Sequence, residues 1–165
     1  MLSKELRSAS QIVALVGLFF SILMFIPWLA SVAVGWKGGE DFLWSGLTAG
    51  FVCILVLLAT RGETPKISAR FGILVVNFLW WVVPLICALP FILALPELTL
   101  IDAIFEATSG LTTTGATVFT NLEDLPKSIL YYRQHLQWLG GDHGPAATRR
   151  FGFEEARRWR SSWVT

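Results

Sequence analysis

Three long apolar stretches, separated by short polar segments, occupy the first 96 residues of the chain. Residues 8–36, 42–60 and 71–96 contain no charged side chain. A helix that crosses the ~30 Å hydrocarbon core of a bilayer needs about 20 residues, so the pattern predicts three transmembrane helices. Neighbouring helices can satisfy the carbonyls that a proline frees, so the prolines in these stretches indicate kinks rather than breaks. These prolines are Pro27, Pro84 and Pro90.

The distribution of basic residues predicts how the three helices are oriented. The N-terminal segment and the loop between the second and third stretches carry Lys4, Arg7, Arg61, Lys66 and Arg70. The loop between the first and second stretches has a single lysine beside two acids. Because basic loops stay cytoplasmic, we expect a cytoplasmic N-terminus and a third helix that exits at the outer face. The first stretch is longer than the 7–15 apolar residues of a signal peptide, which favours a retained helix.

A short helix is predicted directly after the third stretch. Thr99 and Asp102 have the Thr-x-x-Asp spacing that caps a helix N-terminus, and apolar residues follow at helical spacing. Gly110 is a suitable end. A helix of this length cannot cross a bilayer, so we expect it to be re-entrant, with its partially negative C-terminal end inside the membrane.

The run that follows this helix, LTTTGATV at residues 111–118, is the candidate for ion chemistry. Consecutive β-branched threonines disfavour continued helix, and Gly115 can adopt backbone angles closed to other residues. An extended ribbon of this kind can direct successive carbonyl oxygens at a dehydrated monovalent cation. The alternative is a polar external loop; the position after an outward-going helix and a short capped helix favours the ion-binding interpretation.

Composition narrows the function further. Hydrophobic residues make up 54% of the chain and charged residues 15%, against about 25% charged residues in soluble domains. The net charge is +1, and the two cysteines lie in apolar runs without a metal-binding spacing. No GxSxG, HExxH, Walker A or GxGxxG motif occurs, and His135 and His143 have no partner ligand at a suitable spacing. The sequence therefore predicts an all-α integral membrane protein that is not an enzyme, has no cofactor and binds no nucleic acid.

The motifs FEATSGLTTTGAT (105–117) and YYRQHLQWLGG (131–141) resemble the first pore repeat of the Trk/Ktr-type potassium-uptake membrane subunits. The resemblance covers roughly residues 1–141. It implies two N-terminal transmembrane helices in residues 1–70, and the first outer helix, re-entrant pore helix and filter loop of a four-repeat cation pore in residues 71–141.

The resemblance also implies the substrate, the site and the partners. The transported ion would be potassium, or sodium in some members, held at Thr113, Thr114 and Gly115, with Thr112 and Ala116 flanking the filter. A homodimer in the cell inner membrane, regulated by a separate cytosolic nucleotide-binding subunit, would be the intact assembly. Thr113 and Thr114 would hold the potassium ion.

Residues 142–165 depart from this pattern. They contain five arginines, three acids and no lysine, where the family continues with an apolar helix. We expect an aberrant tail that follows a frameshift near Gly141, and hence an N-terminal fragment that does not transport potassium alone. The interleaved aromatic and arginine residues leave two other interpretations open, an interfacial helix that binds lipid headgroups or a contact with RNA.

Two further alternatives remain open at the level of the sequence. Glu106 lies four residues after Asp102 and either faces a water-filled vestibule or makes a local polar contact. The whole chain is either part of a potassium transporter or a small structural or regulatory membrane protein without transport activity. Replacement of Thr113, Thr114 and Gly115 would leave the activity of the second kind of protein unchanged.

Overall fold

The computed structural model of the chain describes residues 2–61, 69–120 and 122–141, and the described part is helical without a β-strand. The expected tail over residues 142–165 and His143 lie outside the described residues. The helices are α1 (Leu2–Leu23), α2 (Phe25–Val34), α3 (Glu40–Ala59), α4 (Ala69–Ala94), α5 (Leu100–Leu111) and α6 (Lys127–Gly141), with a 3-10 turn at Leu122–Asp124.

Three segments of the described part are long and apolar enough to cross a membrane, which confirms the prediction of three such helices. They are Glu5–Val34, Glu40–Ala59 and Arg70–Ala94. The first segment is two helices, α1 and α2, that meet at Met24. Pro27 accounts for this junction, because its ring clashes with the carbonyl of Leu23 and it has no N–H to donate. In contrast, α4 continues unbroken past its two prolines.

Glycine on α1 allows the three spanning helices to pack closely. A Cβ at Gly17 would lie 2.8 Å from both Cys53 Sγ on α3 and Ile86 Cδ1 on α4. Further along, Ser21 of α1 and Met24 at the junction face Gly46 of α3, so contacts made later on α1 are made earlier on α3. Helices α1 and α3 are therefore antiparallel, whereas α1 and α4, whose early residues Ala9, Phe71 and Val75 form one buried cluster, are parallel.

The main core lies where α3, α4 and α6 meet around the side chain of Tyr132. Its ring centroid is 5.1 Å from that of Phe42 on α3 and 5.3 Å from that of Phe91 on α4. The Tyr132 hydroxyl donates a 3.0 Å hydrogen bond to the carbonyl of Cys87. Burial raises the pKa of Tyr132, so the hydroxyl stays protonated and keeps this bond. This core fixes α6 against the spanning helices, although α6 is not itself a candidate span.

A candidate ion-binding ribbon and its supports

Helix α5 has the cap that the sequence predicts. The backbone N–H of Asp102 donates to Thr99 Oγ1 at 3.2 Å, and Thr99 Oγ1 donates to Asp102 Oδ2 at 2.6 Å. The helix runs for 12 residues and ends at Leu111, one residue after the expected end. At 1.5 Å per residue it is about 18 Å long, which is too short to cross a bilayer.

Residues 112–116, here called the filter ribbon, alternate between right-handed and left-handed backbone conformations. Thr112 has φ −87° and Thr113 has φ +56°. Thr114 is outside the positive region, and Gly115 has φ +75°. A β-branched residue in the left-handed region is strained, by roughly 1–2 kcal/mol, so the surroundings of Thr113 must hold it there.

Three consecutive N–H groups of the filter ribbon point back at α5. Thr112 donates to the Thr108 carbonyl at 2.8 Å, Thr113 to the Gly110 carbonyl at 3.0 Å, and Thr114 to the Ser109 carbonyl at 3.1 Å. Because alternating hand places successive N–H groups on one side of a chain, the carbonyls of these residues lie on the other. Among the described residues, no hydrogen bond reaches the carbonyls of residues 112–115. These oxygens are free to accept from a ligand.

The side chains of the filter ribbon are exposed and make few contacts. The hydroxyls of Thr112 and Thr114 lie 2.8 Å apart. The carbonyl of Ala116, one of the expected flanking positions, accepts a 2.6 Å hydrogen bond from Ser109 Oγ on α5. Ala116 is therefore where the ribbon is tied back to the helix, and the free carbonyls end at Gly115.

The buried carboxylate of Glu106 ties down the chain just beyond the filter ribbon. Its Oε1 accepts from the Thr117 hydroxyl at 2.6 Å and from the Val118 N–H at 2.7 Å. The Glu106 side chain is fully buried, so it does not face a water-filled vestibule. Of the two interpretations of this residue, the local polar contact is the one that the structure bears out.

Arg133 on α6 supplies the positive charge for this carboxylate. Its Nε lies 2.9 Å from Glu106 Oε2, and its side chain is only 13% exposed. The N–H is not aligned for a hydrogen bond, and Oε2 has no hydrogen-bond partner within the described part of the chain. The guanidinium carbon also lies 5.7 Å from the ring centre of Phe119. The contact is thus a buried ion pair that joins α6 to α5, whose Glu106 also holds Thr117 and Val118.

Two glycines let α6 approach the C-terminal end of α5. A Cβ at Gly140 would lie 2.0 Å from the carbonyl oxygen of Leu111, and a Cβ at Gly110 would lie 2.9 Å from Leu136 Cβ. Gly141, the next residue of α6, faces the methyl group of Thr113. The end of α6 therefore packs directly behind the start of the filter ribbon.

Several of these residues carry the site although the sequence alone did not single them out. Ser109, Arg133 and Gly140 are the clearest cases: the last two lie in the motif at residues 131–141, but no role in the site was predicted for any of the three. No helix was expected at residues 127–141. The available signal was the spacing of Ile129, Tyr132 and Leu136, which puts them on one face of a helix.

Histidine and acidic residues do not form a metal site in the described part. No group of three or more His, Cys, Asp or Glu side chains is close enough there to hold a metal ion. His135 lies edge-on to the ring of Tyr131, with ring centroids 6.2 Å apart, and burial lowers its pKa. Both cysteines are buried and free. Backbone and hydroxyl oxygens of the filter ribbon are the ligands that the described site offers.

Comparisons with known proteins all indicate one family. The profile of the TrkH family, described as cation transport proteins, matches residues 46–147. The chain is 40% identical over 136 residues to the Trk system potassium uptake protein TrkH of Escherichia coli. The aligned region covers 82% of this chain and 28% of that protein. It is 40% identical over 139 residues to TrkH of Halomonas elongata, covering 83% of the chain and 29% of that protein.

A solved structure agrees with these relatives. The crystal structure of the potassium transporter TrkH from Vibrio parahaemolyticus superposes with a TM-score of 0.77 at 38% identity, over 82% of this chain and 29% of that one. The chain thus spans less than a third of the length of the relatives that it matches.

Proposed function

The chain belongs to the TrkH family of cation transport proteins, and we propose that it takes part in potassium transport across the cell inner membrane by supplying one side of a selectivity filter. The observation that carries this proposal is the alternation of left-handed and right-handed backbone conformations along the filter ribbon. The N–H groups of Thr112, Thr113 and Thr114 donate to carbonyls of α5, and the carbonyls of residues 112–115 are left unbonded on the opposite side. Such a row of carbonyls can replace the water around a potassium ion.

The proposed ligands are the oxygens of Thr113, Thr114 and Gly115, with Thr112 at the edge of the row. Ala116 is set apart from them, because its carbonyl is engaged by Ser109. The C-terminal end of α5 adds the partial negative charge of its carbonyls next to the ribbon, which favours a cation there. No carboxylate is part of this row, and monovalent rather than divalent ions suit a site of neutral oxygens.

A single ribbon contacts an ion from one side only. An ion stripped of its water needs oxygens all round, so three further ribbons of the same kind are required. We therefore propose that this chain does not transport potassium alone. The complete assembly would comprise further pore repeats, a second copy and a cytosolic nucleotide-binding regulatory subunit, with the N-terminus of the chain in the cytoplasm. The relatives are named as transporters rather than enzymes, which supports a role without catalysis or cofactor.

A chimeric transporter tests this function. Residues 46–141 of this chain would replace the matching segment of TrkH from Escherichia coli, in a host that lacks potassium uptake. We expect the chimera to restore growth at low potassium, the chain alone not to restore it, and the change of Thr113, Thr114 and Gly115 together to alanine to abolish the chimera's uptake. Thr120→Ala is the matched control, because Thr120 is exposed and lies outside the filter ribbon. Unchanged uptake by the triple variant would support the alternative, a structural role without a filter.

A further inference from the structure

The three spanning helices enclose an apolar groove that the proposed filter does not use. The groove has a volume of about 520 Å³, within the range of small-molecule sites, and is open along one side. Its walls come from α1, α3 and α4, with Ser10, Val52 and Phe78 among the residues that line it. Nearly all of this wall is hydrocarbon, so water gains no hydrogen bonds by filling it.

The groove lies along the hydrophobic part of the three helices. Val52 is in the middle of α3, and Phe78 lies nine residues after the start of α4. An open apolar groove at this depth faces the acyl chains of the bilayer wherever no other part of the assembly covers it. An acyl chain is therefore the occupant whose chemistry and position match the groove.

One end of the groove carries positive charge from each of the three helices. Because α1 runs antiparallel to α3 and parallel to α4, the start of α1, the end of α3 and the start of α4 lie at the same end. Arg7 is one turn before Ser10, Arg61 follows the end of α3, and Arg70 is the second residue of α4. All three arginines are exposed, and within the described ranges none is paired with a carboxylate. Glu5 is the acidic residue described at this end.

We propose that this groove binds one acyl chain of an anionic phospholipid, with the phosphate held at Arg7, Arg61 and Arg70. The apolar wall selects a hydrocarbon chain, and the three arginines select a headgroup with net negative charge. Each basic residue near a membrane surface favours an anionic lipid about fivefold. This site is independent of the filter ribbon and of the proposed transport function.

Photo-crosslinking in lipid nanodiscs tests the site. The chain would be reconstituted with phosphatidylglycerol or phosphatidylcholine that carries the same diazirine-labelled acyl chain, and labelled peptides would be located by mass spectrometry. We expect labelling of groove residues by phosphatidylglycerol to exceed that by phosphatidylcholine by tenfold or more. Equal labelling by the two lipids would overturn the headgroup assignment, and absence of label from the groove would overturn the site.

Matched variants separate the two parts of the proposal. Val52→Trp fills the groove, whereas Val76→Trp, at a valine of nearly equal exposure outside the groove, is its control. The first should remove groove labelling and the second should leave it. Arg7→Gln, Arg61→Gln and Arg70→Gln should each reduce the phosphatidylglycerol preference about fivefold. Lys37→Gln, at the opposite end of the helices, should not change it. Loss of label from the Val76→Trp variant, or unchanged preference in the arginine variants, would contradict the proposal.

Discussion

The ion pair between Glu106 and Arg133 is the support of the filter ribbon that a single substitution tests most directly. Glu106→Gln keeps the shape of the side chain and an oxygen that accepts from Thr117 and Val118. It removes the charge that neutralises Arg133. Because Glu106 is fully buried and Arg133 is 13% exposed, solvent cannot replace the lost partner well. Breaking a buried pair in this way costs about 3–5 kcal/mol, and we expect that loss in the free energy of unfolding.

Urea titration of the purified chain in detergent micelles measures this loss, by linear extrapolation of the unfolding free energy. Asp102→Asn is the matched control, since Asp102 is an acid on the same helix at a partly exposed cap, and its replacement should cost less than about 1 kcal/mol. The double variant Glu106→Gln/Arg133→Gln should lose less unfolding free energy than the sum of the losses in the two single variants. Each single variant leaves one buried charge unpaired, whereas the double variant leaves none.

Hydrogen exchange at the Val118 amide reports the same event locally. The Val118 N–H donates a 2.7 Å hydrogen bond to a carboxylate oxygen of Glu106. The neutral side-chain oxygen of a glutamine accepts a hydrogen bond more weakly, by about 1 kcal/mol. We therefore expect roughly fivefold faster exchange of Val118 in Glu106→Gln and no change in Asp102→Asn. The reasoning is refuted if Glu106→Gln costs no more than Asp102→Asn and leaves the Val118 exchange rate unaltered.

Three further substitutions test the packing of α6, each followed by unfolding in micelles. Gly140→Ala should destabilise the fold by about 3 kcal/mol or more, since its Cβ would lie 2.0 Å from a backbone oxygen. Gly72→Ala, at a glycine with open space around it, should not, and equal effects of the two variants would contradict the close approach. Tyr132→Phe should cost about 1 kcal/mol, because it removes the hydrogen bond that the hydroxyl donates to the Cys87 carbonyl, and a neutral result would count against that bond. Burial lowers the pKa of His135, so the unfolded chain binds the imidazole proton more tightly than the folded chain does. The stability should therefore be constant above pH ~6.5 and decrease below it, and His135→Gln should abolish this decrease.

The sequence by itself determined the membrane-spanning architecture of this protein. Long uncharged stretches leave a chain few alternatives to crossing a bilayer as helices, and the Thr99–Asp102 cap marks the start of α5 by purely local chemistry. The position of the filter ribbon followed from the same kind of local signal, a β-branched run interrupted by Gly115. The assignment of its oxygens to an ion remains a prediction that the chimera tests.

The tertiary structure decided how the ribbon is held, because its supports are far apart in the sequence. Glu106 meets Arg133 only once α6 has folded back onto α5, and Gly140 matters only because Leu111 lies beside it. Local periodicity carries no information about such contacts. The break at Met24 also needed the structure, since two of the other prolines lie within an unbroken α4. Local propensity specifies the elements of this chain, and long-range packing specifies the geometry that its proposed chemistry requires.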